Sequence, residues 1–247
     1  MCACTKKTEL SEIEALRQKD IVTIGVKVDS KPFGFIQNGE NVGFDIDIAR
    51  AVMKRLYPYI GEKPIKFVPV TAQDKIMKLN SKEIDLIIAA MSINESRKNV
   101  VDFSMPYFIA GQAIMVKANS DIKTVRDLNF KDVAVIMGTT SERDLKKFAP
   151  NTILKGCVNY QEAFALLQTG EVQAIYADDT ILYGLLDNKG YRILNARYTK
   201  EYYAIAMRKE KNNQELKTRI DIAIKDMQEK KELAKIREKW LKNYVNF

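Results

Sequence analysis

Five side chains in this 247-residue sequence, Ser92, Arg97, Thr139, Thr140 and Asp178, have the types and placements to hold a small charged molecule. A guanidinium grips a carboxylate through two parallel hydrogen bonds, a geometry that lysine lacks, and a serine hydroxyl can add a third. In VIMGTTSERDLKKF a strand-like run meets Gly138, two threonines and a helix pattern with Thr139 and Glu142 in capping-box spacing. The free N–H groups and positive dipole end of such a helix start favour an anion. Asp178, in ADDT, can take an ammonium or simply cap the following TILYGLL helix. Singly each residue has a plainer role, Arg97 on a surface helix and the threonines in a cap. Jointly they offer donors to a carboxylate and an anion to an ammonium, which is what a zwitterion requires.

Each of these residues follows a short apolar run. Strand-like stretches at 21–26, 65–70, 85–90, 113–116, 133–136, 174–177 and 202–207 alternate with helical patterns. At 45–57, for example, Ile48, Val52 and Leu56 share one helical face. Strands separated by helices predict an α/β chain with mostly parallel sheets covered by helices on both faces. Ligands of such sheets bind beyond the carboxyl ends of the strands. The polar segments KVDSKPFGF, TAQDK, MSINESR, MGTTSERD and DDT all fall there.

Composition removes several alternatives. Apolar residues make up 46% and charged residues 29%, ordinary values for a folded domain. No apolar stretch approaches the roughly 20 residues of a membrane-spanning helix. The net charge of +8 raises the question of nucleic acid. The excess is concentrated at 208–247, which holds 12 of the 40 basic and 7 of the 32 acidic residues. There the charges alternate with Leu216, Ile220, Ala223, Ile224 and Met227 at helical spacing. This pattern describes an amphipathic helix with a solvated face, not a nucleic-acid-binding stripe. With no histidine and three cysteines, Cys2, Cys4 and Cys157, the chain lacks the ligand spacings of a zinc site and histidine acid/base chemistry. No metal or other cofactor is expected.

The N-terminal MCACTKK is similar to the processed end of a bacterial lipoprotein, in which the export signal has been removed and lipid is carried on a cysteine, here Cys2 or Cys4. Residues 1–18 are accordingly read as a tether, and the location as periplasmic or otherwise extracytoplasmic, with a lipid anchor to the membrane.

The segments GFDIDIARAV, LNSKEIDLIIAAMSINESRKNVVDFSMPYF, GTTSE and ADDTILYGLL, in this order and spacing, resemble the bacterial extracellular solute-binding proteins that serve polar amino-acid ABC importers. The likeness runs from about Ile21 to the C-terminus. It implies a two-lobe type II periplasmic-binding-protein fold, joined by two crossing strands and closing on ligand by a hinge. Lobe 1 would comprise 19–108 and 204–247, and lobe 2 would comprise 109–203. The resemblance further implies that Arg97 and Ser92 hold the α-carboxylate, that Thr139 and Thr140 close on it from lobe 2, and that Asp178 and the Ala90 carbonyl take the α-ammonium. The implied partners are a free L-amino acid and a membrane permease; a monomer without nucleic acid is expected.

For the ligand's side chain the informative positions are departures. Family members that bind basic amino acids or glutamine place an aspartate where Lys27 stands, and aromatic clamps where Ser30 and Ala72 stand. Members that bind aspartate and glutamate resemble this chain in a basic residue at Lys75. Two lysines at the distal end predict an acidic side chain, aspartate or glutamate, with glutamine or another polar amino acid as the alternative. An enzyme of the cyclohexadienyl dehydratase kind shares this fold and is the rival reading; it needs a poised acid or base in the cleft. Binding without catalysis is expected. A fused sensory module is the remaining rival, for which no sequence remains after the last helix.

Overall fold

The structure, a computed structural model, describes residues 10–186, 190–210, 213–242 and 244. Cys2 and Cys4, and with them the lipid-anchor expectation, lie outside the described residues. Two five-stranded sheets form the two lobes. In the first, Ile65–Pro69, Val22–Val26 and Leu86–Ile87 run parallel, followed by Ala206–Arg208 and Val101–Phe103. In the second, Ile153–Cys157, Asp132–Ile136 and Ala174–Asp178 run parallel, followed by Gln112–Lys117 and Tyr191–Ile193. In each sheet the strand running against the others, Ala206–Arg208 or Gln112–Lys117, is the one that has just arrived from the other lobe. The sheets are therefore mixed, with the parallel part built from βαβ units.

Between the lobes the strands Phe108–Ala110 and Glu201–Tyr203 pair antiparallel as a separate ribbon. An aromatic cluster fastens this ribbon to the first lobe. Phe33 meets Phe108 at 5.1 Å and Tyr203 at 5.2 Å, and Phe44 meets Phe108 at 5.3 Å, all edge-on. Such contacts add about 0.5–1.5 kcal/mol each beyond area burial.

The helix expected at 45–57 spans Phe44–Ile60, with Ile48, Val52 and Leu56 fully buried. It starts at Gly43, whose φ of 131° and close approach to the Phe33 carbonyl leave no room for a Cβ. Pro58 lies in the last turn, where its missing N–H removes one i→i−4 hydrogen bond close to the helix end. The C-terminal pattern forms Gln214–Glu229, and Leu216, Ile220, Ala223, Ile224 and Met227 are all buried. Its charges face outward and pair along the helix, as Lys217 with Asp221 at 2.6 Å, so the basic excess is a solvated face. Among the described residues no helix is long and apolar enough to cross a membrane. Cys157 is buried at the end of its strand, and burial pushes its thiol up to about 11.

Two expected strands are shorter than their apolar runs. The run at 85–90 pairs only at Leu86–Ile87, because Ala90 turns left-handed with φ 43°. The run at 202–207 splits into Glu201–Tyr203 and Ala206–Arg208, since the chain leaves the ribbon at Ala204 and enters the first sheet.

Candidate functional site

The parallel strands of both sheets end facing one another across a cleft. All nine residues singled out in the sequence, Lys27, Ser30, Lys75, Ala90, Ser92, Arg97, Thr139, Thr140 and Asp178, line one pocket there. The cavity these side chains leave is tight, ≈ 30 Å³. The lobes stand close together: Arg97 Nη2 donates to the Gly138 carbonyl at 3.3 Å, Arg143 Nη1 to Ser96 Oγ at 3.3 Å and Gln161 Nε2 to the Asp29 carbonyl at 3.2 Å. Gly184 packs so near the Lys31 carbonyl that a Cβ would stand 1.9 Å from it.

Arg97 lies in the single turn Glu95–Lys98, which Asn94 caps by accepting the Arg97 N–H at 2.9 Å. Its guanidinium is only 9% exposed and donates from Nη1 to the Ser92 carbonyl at 2.8 Å. Among the described residues Nη1 and Nη2 each donate once, which leaves three of the five guanidinium N–H groups for a ligand. Burial lowers its pKa, and Asp178 and Glu201 oppose that shift. Ser92 is buried beside it, bridged through its backbone to Tyr203 of the ribbon.

Opposite, the helix Thr140–Phe148 begins at the pocket with Thr139 as N-cap. The expected capping box is not formed. Glu142 accepts the Gly138 N–H at 2.7 Å, but the Thr139 hydroxyl donates to the Ile136 carbonyl at 2.6 Å and caps nothing. The first-turn N–H groups of a helix have no intrahelical acceptors, so this start keeps donors for an anion. The Thr140 hydroxyl accepts from Gln112 Nε2 at 2.8 Å and donates to Glu201 Oε2 at 3.1 Å. What Thr140 offers a ligand carboxylate is therefore its backbone N–H.

Asp178 ends the strand Ala174–Asp178 at 7% exposure. Its Oδ2 accepts from the Tyr203 hydroxyl, while the buried Oδ1 has no hydrogen-bond partner among the described residues. Burial, followed by the neighbouring Glu201 charge, pushes its pKa up to about 7. A buried carboxylate oxygen without a donor, beside a cavity, is a place for a cation.

At the far side of the pocket Lys27 and Lys75 are 6% and 4% exposed, so neither runs out along the lobe surface. Lys27 Nζ lies 2.9 Å from Asp29 Oδ1, which also accepts from Ser30 Oγ at 2.9 Å. Lys75 begins the helix Lys75–Asn80. Burial, then the charges of Arg97 and Lys27, drives its amine well below the ordinary lysine range.

The sequence pattern missed Asp29, which stands two residues from Lys27 on the other side of a bend at Val28. It also missed Tyr160, which lines the pocket, and the ribbon residues Glu201 and Tyr203, which reach Thr140 and Asp178. Nothing local marks these last two, because they act on residues 61 and 25 positions away.

Comparison with known proteins agrees with this architecture. Residues 22–243 match the model of the bacterial extracellular solute-binding proteins, family 3. The "ABC transporter glutamine-binding protein GlnH" of Bacillus subtilis is 36% identical over 242 residues, covering 96% of this chain and 87% of that protein. The "Glutamine-binding protein" of Geobacillus stearothermophilus is 38% identical over 217 residues, covering 84% of this chain and 82% of that protein. Among solved structures, an ancestral arginine-binding protein bound to glutamine superimposes with a TM-score of 0.83 at 39% identity, covering 91% of this chain and 99% of that one.

Proposed function

This chain belongs to the bacterial extracellular solute-binding proteins of family 3, and from that premise we propose that it captures free L-glutamine between its lobes and presents it to the permease of an ABC importer. Arg97 and the Thr140 helix start take the α-carboxylate from opposite lobes, and Asp178 Oδ1 takes the α-ammonium. A ligand held from both sides binds the closed form better than the open one, which makes closure follow occupancy. The lobe bounds follow the resemblance, 19–108 with 204–247 against 109–203, except that 12–18 is not tether: the helix Glu12–Gln18 buries Ile13 and Leu16 in the first lobe's core and pairs Glu12 with Arg208. The function is binding without turnover, in an extracytoplasmic protein.

The observation that carries glutamine over an acidic ligand is the Lys27–Asp29 pair at 2.9 Å. The expectation of aspartate or glutamate rests on two cationic lysines at the distal end. Asp29 cancels the first of these charges, and burial favours the uncharged amine of the second. A side-chain carboxylate would then lack the opposite charge that its desolvation requires. A carboxamide is neutral and needs only a donor and an acceptor, which a lysine-aspartate pair supplies side by side. The two glutamine-binding relatives support the same choice.

A thermal-shift screen over the twenty amino acids tests this. Glutamine at about 100 times its Kd should stabilise the protein by about 2.7 kcal/mol, or roughly 5–10 °C in Tm for a chain of this size. A larger shift with glutamate or aspartate overturns the glutamine assignment; no shift with any amino acid overturns the whole reading. The charge argument has its own check. Asp29→Asn uncovers the Lys27 charge, so the ratio of glutamine to glutamate affinity measured by calorimetry should fall at least about tenfold. An unchanged ratio removes Asp29 from the account of specificity.

A further inference from the structure

Asp45 is fully buried behind the pocket residue Ala90, and both of its oxygens are in use. Oδ2 accepts the Ala90 N–H at 2.7 Å and Oδ1 accepts the Tyr107 hydroxyl at 2.8 Å. As the second residue of Phe44–Ile60, the carboxylate stands at the positive end of a 17-residue helix. The backbone there is anchored as well, since the Asp45 N–H donates to the Phe33 carbonyl at 2.9 Å.

Its partner Ala90 combines two properties. It is a non-glycine residue in the left-handed region, φ 43°, a conformation that alanine adopts only at a cost and that surrounding contacts must enforce. It also lines the pocket. With its N–H committed to Asp45 and a methyl for a side chain, the carbonyl oxygen is the one polar group that Ala90 can offer a ligand, and a carbonyl can only accept. The hydrogen bond to Asp45 therefore decides both the shape of this wall and its polarity. Through Tyr107 the same carboxylate supports the opposite wall. The Tyr107 N–H donates to the Tyr203 carbonyl at 2.9 Å, and the Tyr203 hydroxyl donates to Asp178.

We propose that Asp45 is a positioning residue for the ligand's ammonium group: its carboxylate locks the Ala90 turn in the left-handed conformation, so that Ala90 presents its carbonyl to the pocket opposite Asp178. This rests on the reading of the pocket as an amino-acid site. Asp45 touches no ligand itself, and the neutral Asp45→Asn variant keeps an oxygen for the Ala90 N–H.

Calorimetric titration with L-glutamine, together with the ligand-free Tm of each variant, tests the proposal. Asp45→Ala is expected to weaken glutamine at least about tenfold, and Asp45→Asn to stay within about threefold of the unaltered protein. Adding Ala90→Gly to Asp45→Ala should recover a substantial part of the loss, because glycine enters the left-handed region without strain; the ligand-free Tm need not recover. A residue that merely stabilised the lobe would lower Tm without this rescue of affinity. If Asp45→Ala does not fold, Asp45→Ser, whose hydroxyl is too short to serve both partners, takes its place. Glutamine affinity within twofold in the folded Ala or Ser variant, or a double variant no tighter than the single one, overturns the proposal. Failure of the unaltered protein to bind glutamine is a failure of the functional reading instead, and the same variants are then titrated with whichever amino acid the thermal screen returns.

Discussion

Arg97→Ala is expected to weaken glutamine binding by roughly two to three and a half orders of magnitude in calorimetry, the equivalent of about 3–5 kcal/mol. Such a figure is characteristic of removing one member of a buried charge pair, which strands the other without compensation. The geometry meets that condition: the guanidinium is 9% exposed, fixed by the Ser92 carbonyl, and has three N–H groups left for a carboxylate. Arg97→Lys is expected to recover little, because an ammonium can replace the charge but not the planar fork, and its shorter head cannot bridge to Gly138 of the second lobe. Retention of affinity within tenfold in Arg97→Ala would show that the carboxylate lies elsewhere and would sink the orientation assigned to the ligand.

The second large effect concerns Asp178 and carries a definite sign with pH. In the ligand-free protein burial and Glu201 hold this carboxyl at about 7, against the help of Tyr203 and Arg97. An ammonium binds the ionised form, so glutamine must displace a proton wherever the pH lies below about 7. Affinity should be flat above that value and fall below it by up to about tenfold per pH unit, with protons released on binding in calorimetry across buffers of different ionisation enthalpy. Stability follows the opposite course. A carboxyl whose folded pKa is raised above the ordinary aspartate value of 3.8 contributes stability that is full below the unfolded pKa and is lost as pH rises through the folded one. Asp45, raised by burial to about 6, contributes with the same sign. The Tm increase caused by glutamine should thus grow between pH 5 and pH 8. Asp178→Asn should abolish that pH dependence and cost about 3 kcal/mol of binding at pH 8. Affinity that stays constant from pH 5.5 to 8 contradicts the ammonium assignment.

The sequence discloses those features whose cause is local. Apolar runs and helical spacing locate the sheets and the Phe44–Ile60 and Gln214–Glu229 helices to within a few residues, because burial alternates with the period of the element itself. Side chains just beyond strand ends could be gathered into one pocket because the parallel sheet imposes that position. Features imposed from afar were hidden. Just beyond the short strand after Asp85, Ala90 is left-handed and its N–H is taken by a carboxylate 45 residues upstream. Thr139 has the sequence of a capping residue, yet its hydroxyl turns back to Ile136, a choice between neighbouring acceptors that spacing alone does not rank. Lys27 reads as a free charge in the sequence because nothing local shows that Asp29, two residues on, folds back to pair with it at 2.9 Å.

The paired ribbon of Phe108–Ala110 and Glu201–Tyr203 also has a mechanical meaning. Two separate tethers would let one lobe slide, twist and swing relative to the other, and thermal agitation would spread over all of these motions. Two strands paired at Ala110–Glu201, Ile109–Tyr202 and Phe108–Tyr203, and wedged by Phe33 at one end, are tied so as to bend together like a single leaf spring. Bending of this ribbon is the motion along which the proposed closure on a ligand would run.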